Sequence, residues 1–266
     1  MAFSFLAIAR RISKKAIATA GKAGGSRITG TNPLGQKTIK ADRDLENLVI
    51  DELKMSRIPC VLASEEAGLV EISREPKWKF VLDPLDGSEN YKRNVPSYCL
   101  GLCYAPLRGR SGDVLESYVI NLARPDEFYA RKGKGVFRNG KRVRPSRVEE
   151  MRKAIVSLDF NGEAAGGRIS PARKLALLGC ADHRRFGPDL LDMCYTTFGG
   201  VDAFVDGRGS LSAVHASGIA LLAEDCVLTN EHGRQVDFAL EVEASTGIVA
   251  AGTKELHAEL LAALRR

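Results

Sequence analysis

Several features are absent from this chain, and each absence narrows it. None of the six cysteines (Cys60, Cys99, Cys103, Cys180, Cys194 and Cys226) forms a C-x-x-C pair. They lie in apolar contexts such as "SYCLGLCYA" and "LDMCY", so zinc-finger and disulfide frameworks are not expected. Buried, reduced thiols of a cytoplasmic protein are expected instead. No apolar run is long enough to span a bilayer, so no membrane partner is expected. There is no internal repeat and no low-complexity tract. Aromatic residues are only 6% of the chain, and the basic residues carry no aromatic-basic motif, which argues against a nucleic-acid partner. The balance of 39 basic and 33 acidic residues gives +6, a charge that suits phosphorylated ligands and equally suits a solvated exterior.

The composition that remains, 44% apolar and 27% charged over 266 residues, is that of a globular protein with a large core, in one big domain or two lobes. In "MAFSFLAIARRISKKAIATAGKAGG" the basic cluster follows the apolar stretch, the reverse of a signal peptide. Phe5, Ile8, Ile12, Ala16 and Ala20 share one helical face, so an amphipathic first helix is expected. "ADRDLENLVIDELK" is a second, with Leu45, Leu48, Val49 and Leu53 on one side. The segments "CVLAS", "KFVLD", "SYCLGLCYA", "LESYVINLA" and "EFYARK" read as strands, and "RKGKGVFRNGKRV" as a turn-rich hairpin. After "VRPSRVEE" come strand "AIVSLD", helices "SPARKLALLG" and "DLLDMCYTTF", strand "DAFVD", a helix from Ser212 to Glu224, strand "GIVAAG" and a final helix with Leu256, Leu260, Leu261 and Leu264. Helices and strands come in blocks, which predicts a layered α+β architecture. A division into lobes 1–147 and 148–266 is expected, the first carrying the acidic loops and the second completing a pocket.

Three acidic clusters each follow the end of an element: Asp42 and Asp44 after "KTIKA", Glu65 and Glu66 after "CVLAS", Asp83 and Asp86 after "KFVL". Any one of them reads most simply as a helix cap or a solvated loop. In "VLDPLDGSENY" Pro84 biases Asp83 toward extended geometry and Gly87 permits a sharp reversal, so two acids converge on a stiff loop. Convergent carboxylates repel unless a cation lies between them. Acids at strand ends with Gly-Ser adjacent supply the oxygen ligands and the water contact that two-metal phosphoryl transfer needs.

"VLDPLDGSENY" closely resembles the D-P-[IL]-D-G-[ST]-x-N-[FY] signature of the inositol monophosphatase family, which includes archaeal enzymes hydrolysing fructose 1,6-bisphosphate. "TIKAD", "ASEEAG", "YARKGKGVFRNGKRV" and "FGGVDAFVD" resemble further family segments in order, so the likeness runs from about Asp42 to the closing "GIVAAGTKELHAELL". The resemblance implies an αβαβα sandwich of the sugar-phosphatase type, a homodimer, and Mg²⁺-dependent hydrolysis of a phosphate monoester by attack of an activated water. It implies that Glu65, Asp83 and the Leu85 carbonyl hold a first cation, and that Asp83 and Asp86 hold a second. Asp42 and the Ser88 hydroxyl would orient and deprotonate the water, and the Gly87 and Ser88 N–H groups would bind phosphate. Asp206 matches the family's acidic substrate-contacting residue, and Arg184 or Arg185 would reach a second phosphate.

Two positions depart from the family pattern. Relatives open the helix after "DAFVD" with a further aspartate ligand. Here the sequence reads "SLSAVHASGIALLAEDC", which places His215, or Val214 or Ala213 in an earlier register, where that acid belongs. Neutral imidazole is a common ligand, so His215 is a candidate, with Mn²⁺ or Co²⁺ replacing Mg²⁺ at the second site. "RRFGPDLLDMC" has Gly187, Pro188 and Asp189 where relatives carry Gly-[ST]-Ala, which alters the pocket floor. The expected function is therefore hydrolysis of a small sugar or cyclitol phosphate, of the inositol 1-phosphate or fructose 1,6-bisphosphate class. The alternatives are a 3′-phosphoadenosine 5′-phosphate phosphatase and a catalytically weakened relative that binds phosphorylated ligands without efficient turnover.

Overall fold

The computed structural model describes residues 3–33, 35–159 and 176–265. The apolar faces expected at both ends form helices. In α1 (Phe5–Ala20), capped by the Ser4 hydroxyl accepting from the Ala7 N–H, all five stripe residues are buried. A small hairpin, β1 (Ile28–Thr31) and β2 (Lys37–Ile39), leads straight into α2 (Lys40–Met55), which buries Leu45, Val49 and Leu53.

A mostly antiparallel eight-stranded sheet follows. It consists of β3 (Cys60–Ser64), β4 (Gly68–Glu71), β5 (Trp78–Asp86), β6 (Cys99–Pro106), β7 (Glu116–Asn121), β8 (Asp126–Arg131), β9 (Gly135–Arg138) and β10 (Lys141–Arg142). Their order is β10-β9-β8-β7-β6-β5-β3-β4, and β3 and β5 are the parallel pair. A five-residue helix, α3 (Ser88–Lys92), sits between β5 and β6. The second sheet holds β11 (Ile155–Asp159), β12 (Asp182–Arg184), β13 (Ala203–Ser212), β14 (Val227–Thr229) and β15 (Ser245–Ala251), in the order β12-β11-β13-β15-β14. Its helices are α4 (Asp189–Thr196), α5 (Ala216–Asp225) and α6 (Lys254–Leu264).

Alternation along the central strands explains the layering. Phe80 and Leu82 of β5 join Leu100, Leu102 and Tyr104 of β6 in the core beneath α1 and α2. Val81, Cys103 and Ala105 point the other way, into a core shared with Ile219 and Leu222 of α5 and with Phe204 and Ile248 of the second sheet. Strands covered on both faces read as continuous apolar runs, which is why "KFVL" and "CLGLCYA" lack polar alternation. Leu190, Leu191 and Cys194 of α4 pack on Cys99, Val119 and Phe128, while α6 buries Leu256, Leu260 and Leu264 against Val156, Val205 and Val249. Two helices, a sheet, two helices, a sheet and a last helix give the αβαβα sandwich expected. The chain passes from the first sheet to the second between Arg142 and Ile155, and α4 and α5 pack between the two.

Gly101 shows how closely the middle layer approaches. A Cβ there would lie 2.4 Å from Leu190 Cδ1 and 2.5 Å from Ser217 Oγ. Short β4, β12 and β14 were not legible as strands, and β13 runs on to Ser212 rather than ending at Asp206, with a register break between Asp206 and Leu211. The expected helix at "SPARKLALLG" falls largely outside the described residues. All six cysteines are free thiols.

Candidate active site

The loop that ends β5 is held by its own geometry. Strand pairing with β6 continues through Asp83 and resumes at Asp86, with an irregularity between them. The Leu85 N–H donates to Asp83 Oδ1 at 3.1 Å, fixing the carboxylate inside the bulge. Gly87 adopts φ +90°, and a Cβ on it would meet Pro188 Cγ at 2.7 Å and the Ser97 carbonyl oxygen at 3.0 Å. Glycine is therefore needed here for conformation and for space. The chain then turns into α3, whose first residue is Ser88.

The other two clusters arrive from neighbouring elements, and the structure sorts each pair. Asp42 is the third residue of α2, and its Oδ2 accepts the Ile39 N–H at 2.7 Å. Asp44 pairs with Lys40 on the outer side. Glu65 follows β3 directly, its N–H donating to the Leu82 carbonyl at 3.3 Å, beside the Asp83 strand. Glu66 accepts the Thr38 hydroxyl, and Glu46 accepts the Ser64 hydroxyl and the Ala67 N–H, so the buried Glu46 of α2 and Thr38 of β2 brace the Glu65 turn.

After β13 the chain makes a single 3₁₀ turn, Ala213–His215, before α5 begins. Ala213 and Val214 are buried in the shared core, while His215 faces the cavity. His215 Nε2 stands 4.0 Å from Asp83 Oδ2 and 4.0 Å from Asp189 Oδ2, and its Nδ1 lies 3.2 to 3.3 Å from Ser212. Donor atoms of Asp83, Asp86 and His215 all fall within 4.8 Å of one another. Of the three residues the register allowed, the fold brings His215 to the acids.

A cavity of about 560 Å³ is lined by Asp42, Glu65, Glu66, Asp83, Leu85, Asp86, Gly87, Ser88 and His215, together with Asp159, Arg185 and Asp189. Thus Asp42, Ser88, Glu65, Asp83, Leu85, Asp86, His215 and Gly87 meet in one place. Two expected substrate contacts do not. Arg184, the last residue of β12, pairs with Asp182 at 2.6 Å outside the cavity. Asp206 is fully buried within the second sheet, opposite Asp159 and Ile248, and does not line the cavity.

Arg185 enters the cavity in place of Arg184, but as a clamped residue. Its Nη1 contacts Asp189 Oδ1 and Asp192 Oδ2, each at 2.9 Å, and its Nη2 contacts Asp159 Oδ2 at 3.2 Å. Burial alone would lower its pKa, and the carboxylates outweigh that and raise it. An arginine neutralised by three carboxylates is not a free phosphate hook. Asp159 and Asp189 were missed by the sequence reading. Asp159 closes strand "AIVSLD", so the strand-end pattern that picked out Asp83 also marks it. Asp189 had only its departure from the family pattern as a signal.

Electrostatics set the chemistry of this constellation. Burial is the largest cause of each shift: Asp42 and Glu65 are both pushed up to about 7. Asp83 rises well above the usual carboxylate range, with Glu65, Asp86 and Asp42 adding to the desolvation. Asp86 is raised less, because His215, the Leu190 N–H (2.7 Å to Oδ2) and Arg185 oppose its burial. Carboxylates held this close favour protons or a cation between them. Oxygen donors with one imidazole fit a divalent cation.

A family-level sequence model described as the inositol monophosphatase family matches residues 5–266. The chain belongs to that family. It is 31% identical to the fructose-1,6-bisphosphatase/inositol-1-monophosphatase of Methanothermobacter thermautotrophicus, over 86% of this chain and 84% of the relative. It is 30% identical to the protein of the same description from Archaeoglobus fulgidus, over 96% of both. Among solved structures, the extragenic suppressor protein suhB of Bartonella henselae superimposes with a TM-score of 0.84 at 21% identity, covering 98% of each chain. The last likeness bears on fold alone. The two archaeal relatives carry phosphatase names.

Proposed function

We propose that this chain is a metal-dependent phosphomonoesterase acting on a small sugar or cyclitol phosphate, of the inositol 1-phosphate or fructose 1,6-bisphosphate class. The observation that carries the reading is the convergence of Asp42, Glu65, Asp83, Asp86, Ser88 and His215, drawn from five separate elements, on one cavity. Family membership and the names of the two archaeal relatives support the substrate class.

Glu65, Asp83 and the Leu85 carbonyl would hold one cation, and Asp83, Asp86 and His215 a second. When bound, the cations supply Lewis acidity and neutralise charge that develops on phosphoryl oxygens. The remaining work falls to the protein. The Gly87 and Ser88 N–H groups orient the phosphate. Asp42 keeps Oδ2 on the Ile39 N–H and uses Oδ1 to take the proton of the attacking water, assisted by the Ser88 hydroxyl. A carboxyl titrating at about 7 is matched to that transfer near neutral pH.

Phosphate release from inositol 1-phosphate, fructose 1,6-bisphosphate, phosphoadenosine phosphate and an aryl phosphate, each with Mg²⁺ and with Mn²⁺, tests the class. Turnover of the first two should dominate, and Asp83→Asn should abolish it without unfolding the chain. Dominant turnover of phosphoadenosine phosphate would move the assignment to nucleotide phosphatases, and wild-type rates in Asp83→Asn would remove this loop from catalysis.

A further inference from the structure

We propose that the pocket between the end of α1 and the chain following α3 binds a phosphate group other than the one being hydrolysed, carried by the substrate itself or by a separate small metabolite. Binding there does not depend on hydrolysis in the neighbouring cavity; only the identity of the molecule carrying the phosphate rests on the phosphatase reading.

The pocket has a volume of about 400 Å³ and lies beside the catalytic cavity, the two sharing Lys92. Their charges are opposite. Carboxylates wall the catalytic cavity, whereas among the described residues no acid lines this pocket, and both Lys22 and Lys92 do. Lys22 is exposed and makes no ion pair among the described residues. Lys92 pairs with Glu89, whose side chain is 67% exposed. An ion pair so open to water is weak, so the Lys92 ammonium can turn to an anion at little cost.

The backbone supplies further donors. Residues 21–26, "GKAGGS", form the loop after α1. Among the described residues, the successive N–H groups of Ala23, Gly24, Gly25 and Ser26 meet no acceptor. Gly24 adopts φ +78°, and successive N–H groups around a left-handed residue form a concave, anion-binding donor set. Gly25 is buried, and a buried N–H without an acceptor is rare unless water or a ligand meets it. The loop is fixed from two sides. The Gly25 carbonyl accepts the Ala41 N–H at 2.9 Å, and the Tyr91 hydroxyl donates to the Ala20 carbonyl at 2.9 Å. A Cβ on Gly25 would lie 2.1 Å from that hydroxyl, so only glycine lets the loop close on Tyr91. Donors held in place before binding lose little freedom on meeting a ligand. Four N–H groups and two ammonium groups exceed the roughly four lone-pair sites of a carboxylate and suit a dianionic phosphate.

The test is titration of inorganic phosphate into the chelator-treated full chain, read by the backbone amide resonances in ¹H–¹⁵N spectra at constant ionic strength. Without cations the acid-walled catalytic cavity repels phosphate, so the titration reports this pocket. The amides of Ala23, Gly24, Gly25 and Ser26 should shift together and saturate. Lys22→Gln and Lys92→Gln should each weaken the affinity about tenfold, the worth of one charge-assisted hydrogen bond. Kinetics of Lys22→Gln with metal then separate the two sources. A KM for fructose 1,6-bisphosphate raised about tenfold, with the KM for inositol 1-phosphate unchanged, assigns the pocket to the substrate's second phosphate. Unchanged KM values for both, with the amide shifts still weakened, assign it to a separate phosphorylated metabolite. Shifts that do not saturate, that chloride reproduces, or that keep wild-type affinity in Lys22→Gln overturn the proposal and leave the phosphatase reading intact. Failure of the wild type to hydrolyse either substrate removes that reading, and the amide titration still decides the pocket.

Discussion

Replacing Asp42 with asparagine separates two roles that one carboxyl plays in this fold. The side chain closes the first turn of α2 by accepting the Ile39 N–H at 2.7 Å, and asparagine retains that acceptor. What Asp42→Asn removes is a charge that is 4% exposed and lies near Glu65 and Glu66. Burial and those neighbours raise the carboxyl from 3.8 to about 7, so the folded state holds its proton more tightly than the unfolded state does. The sign follows. In metal-free protein the penalty is absent below pH 4, grows as pH rises toward 7, and is complete above it. Fully ionised, such a displacement costs the fold at most about 4 kcal/mol. At about 2–4 °C per kcal/mol for a chain of this size, the chelator-treated variant should melt above wild type at pH 8, by up to roughly 8–16 °C. At pH 4 the two should melt together. Hydrolysis should fall by about 10²- to 10⁴-fold, the usual worth of a positioned proton acceptor. Calorimetric melts at pH 4, 6 and 8, with phosphate release at pH 8, decide the matter. A variant that is less stable at pH 8 and hydrolyses normally would show that Asp42 is a helix cap and nothing more.

Ser88→Ala should lower kcat by about 10²- to 10⁴-fold while Mn²⁺ affinity stays at the wild-type value, because the hydroxyl is assigned to the water and not to a cation; parallel loss of both in calorimetry and kinetics would refute that division. His215→Asp exchanges nitrogen for oxygen and should shift preference from Mn²⁺ or Co²⁺ toward Mg²⁺, read as the ratio of kcat/KM with each ion; an unchanged ratio would take His215 out of the metal shell. Gly87→Ala forces a Cβ against Pro188 and the Ser97 carbonyl at φ +90°, so melting should drop by the equivalent of about 1–3 kcal/mol and hydrolysis should fall with it. A Gly87→Ala protein with wild-type stability would mean that the loop and the 187–189 segment are not packed as described.

How much of this was legible depended on whether the physics was local. The α1 stripe from Phe5 to Ala20 and the α6 leucines need only a helical period and one buried face; the stripe, Leu256, Leu260 and Leu264 are buried and Leu261 is half-buried. The continuous apolar runs of β5 and β6 were readable as strands, and their lack of alternation follows from cover on both faces. The metal loop was readable because Pro84, Gly87 and two acids constrain one another within a few residues. Short β4, β12 and β14 exist because neighbouring strands offer them an edge, a condition absent from their own composition. Asp189 is harder still. Its place in the cavity wall arises because α4 packs on β6 through Gly101 and donates the Leu190 N–H to Asp86, contacts distant in sequence. The same packing explains why the arginine pair divided as it did. Arg184 ends β12 and pairs with Asp182, whereas Arg185, just past the strand, meets three carboxylates beside α4. A sequence with an imidazole where an acid belongs reads as a fading enzyme. The fold brings that imidazole to the loop instead, and the donor atoms of Asp83, Asp86 and His215 still come within 4.8 Å of one another, so the exchange keeps three ligands while giving up one charge.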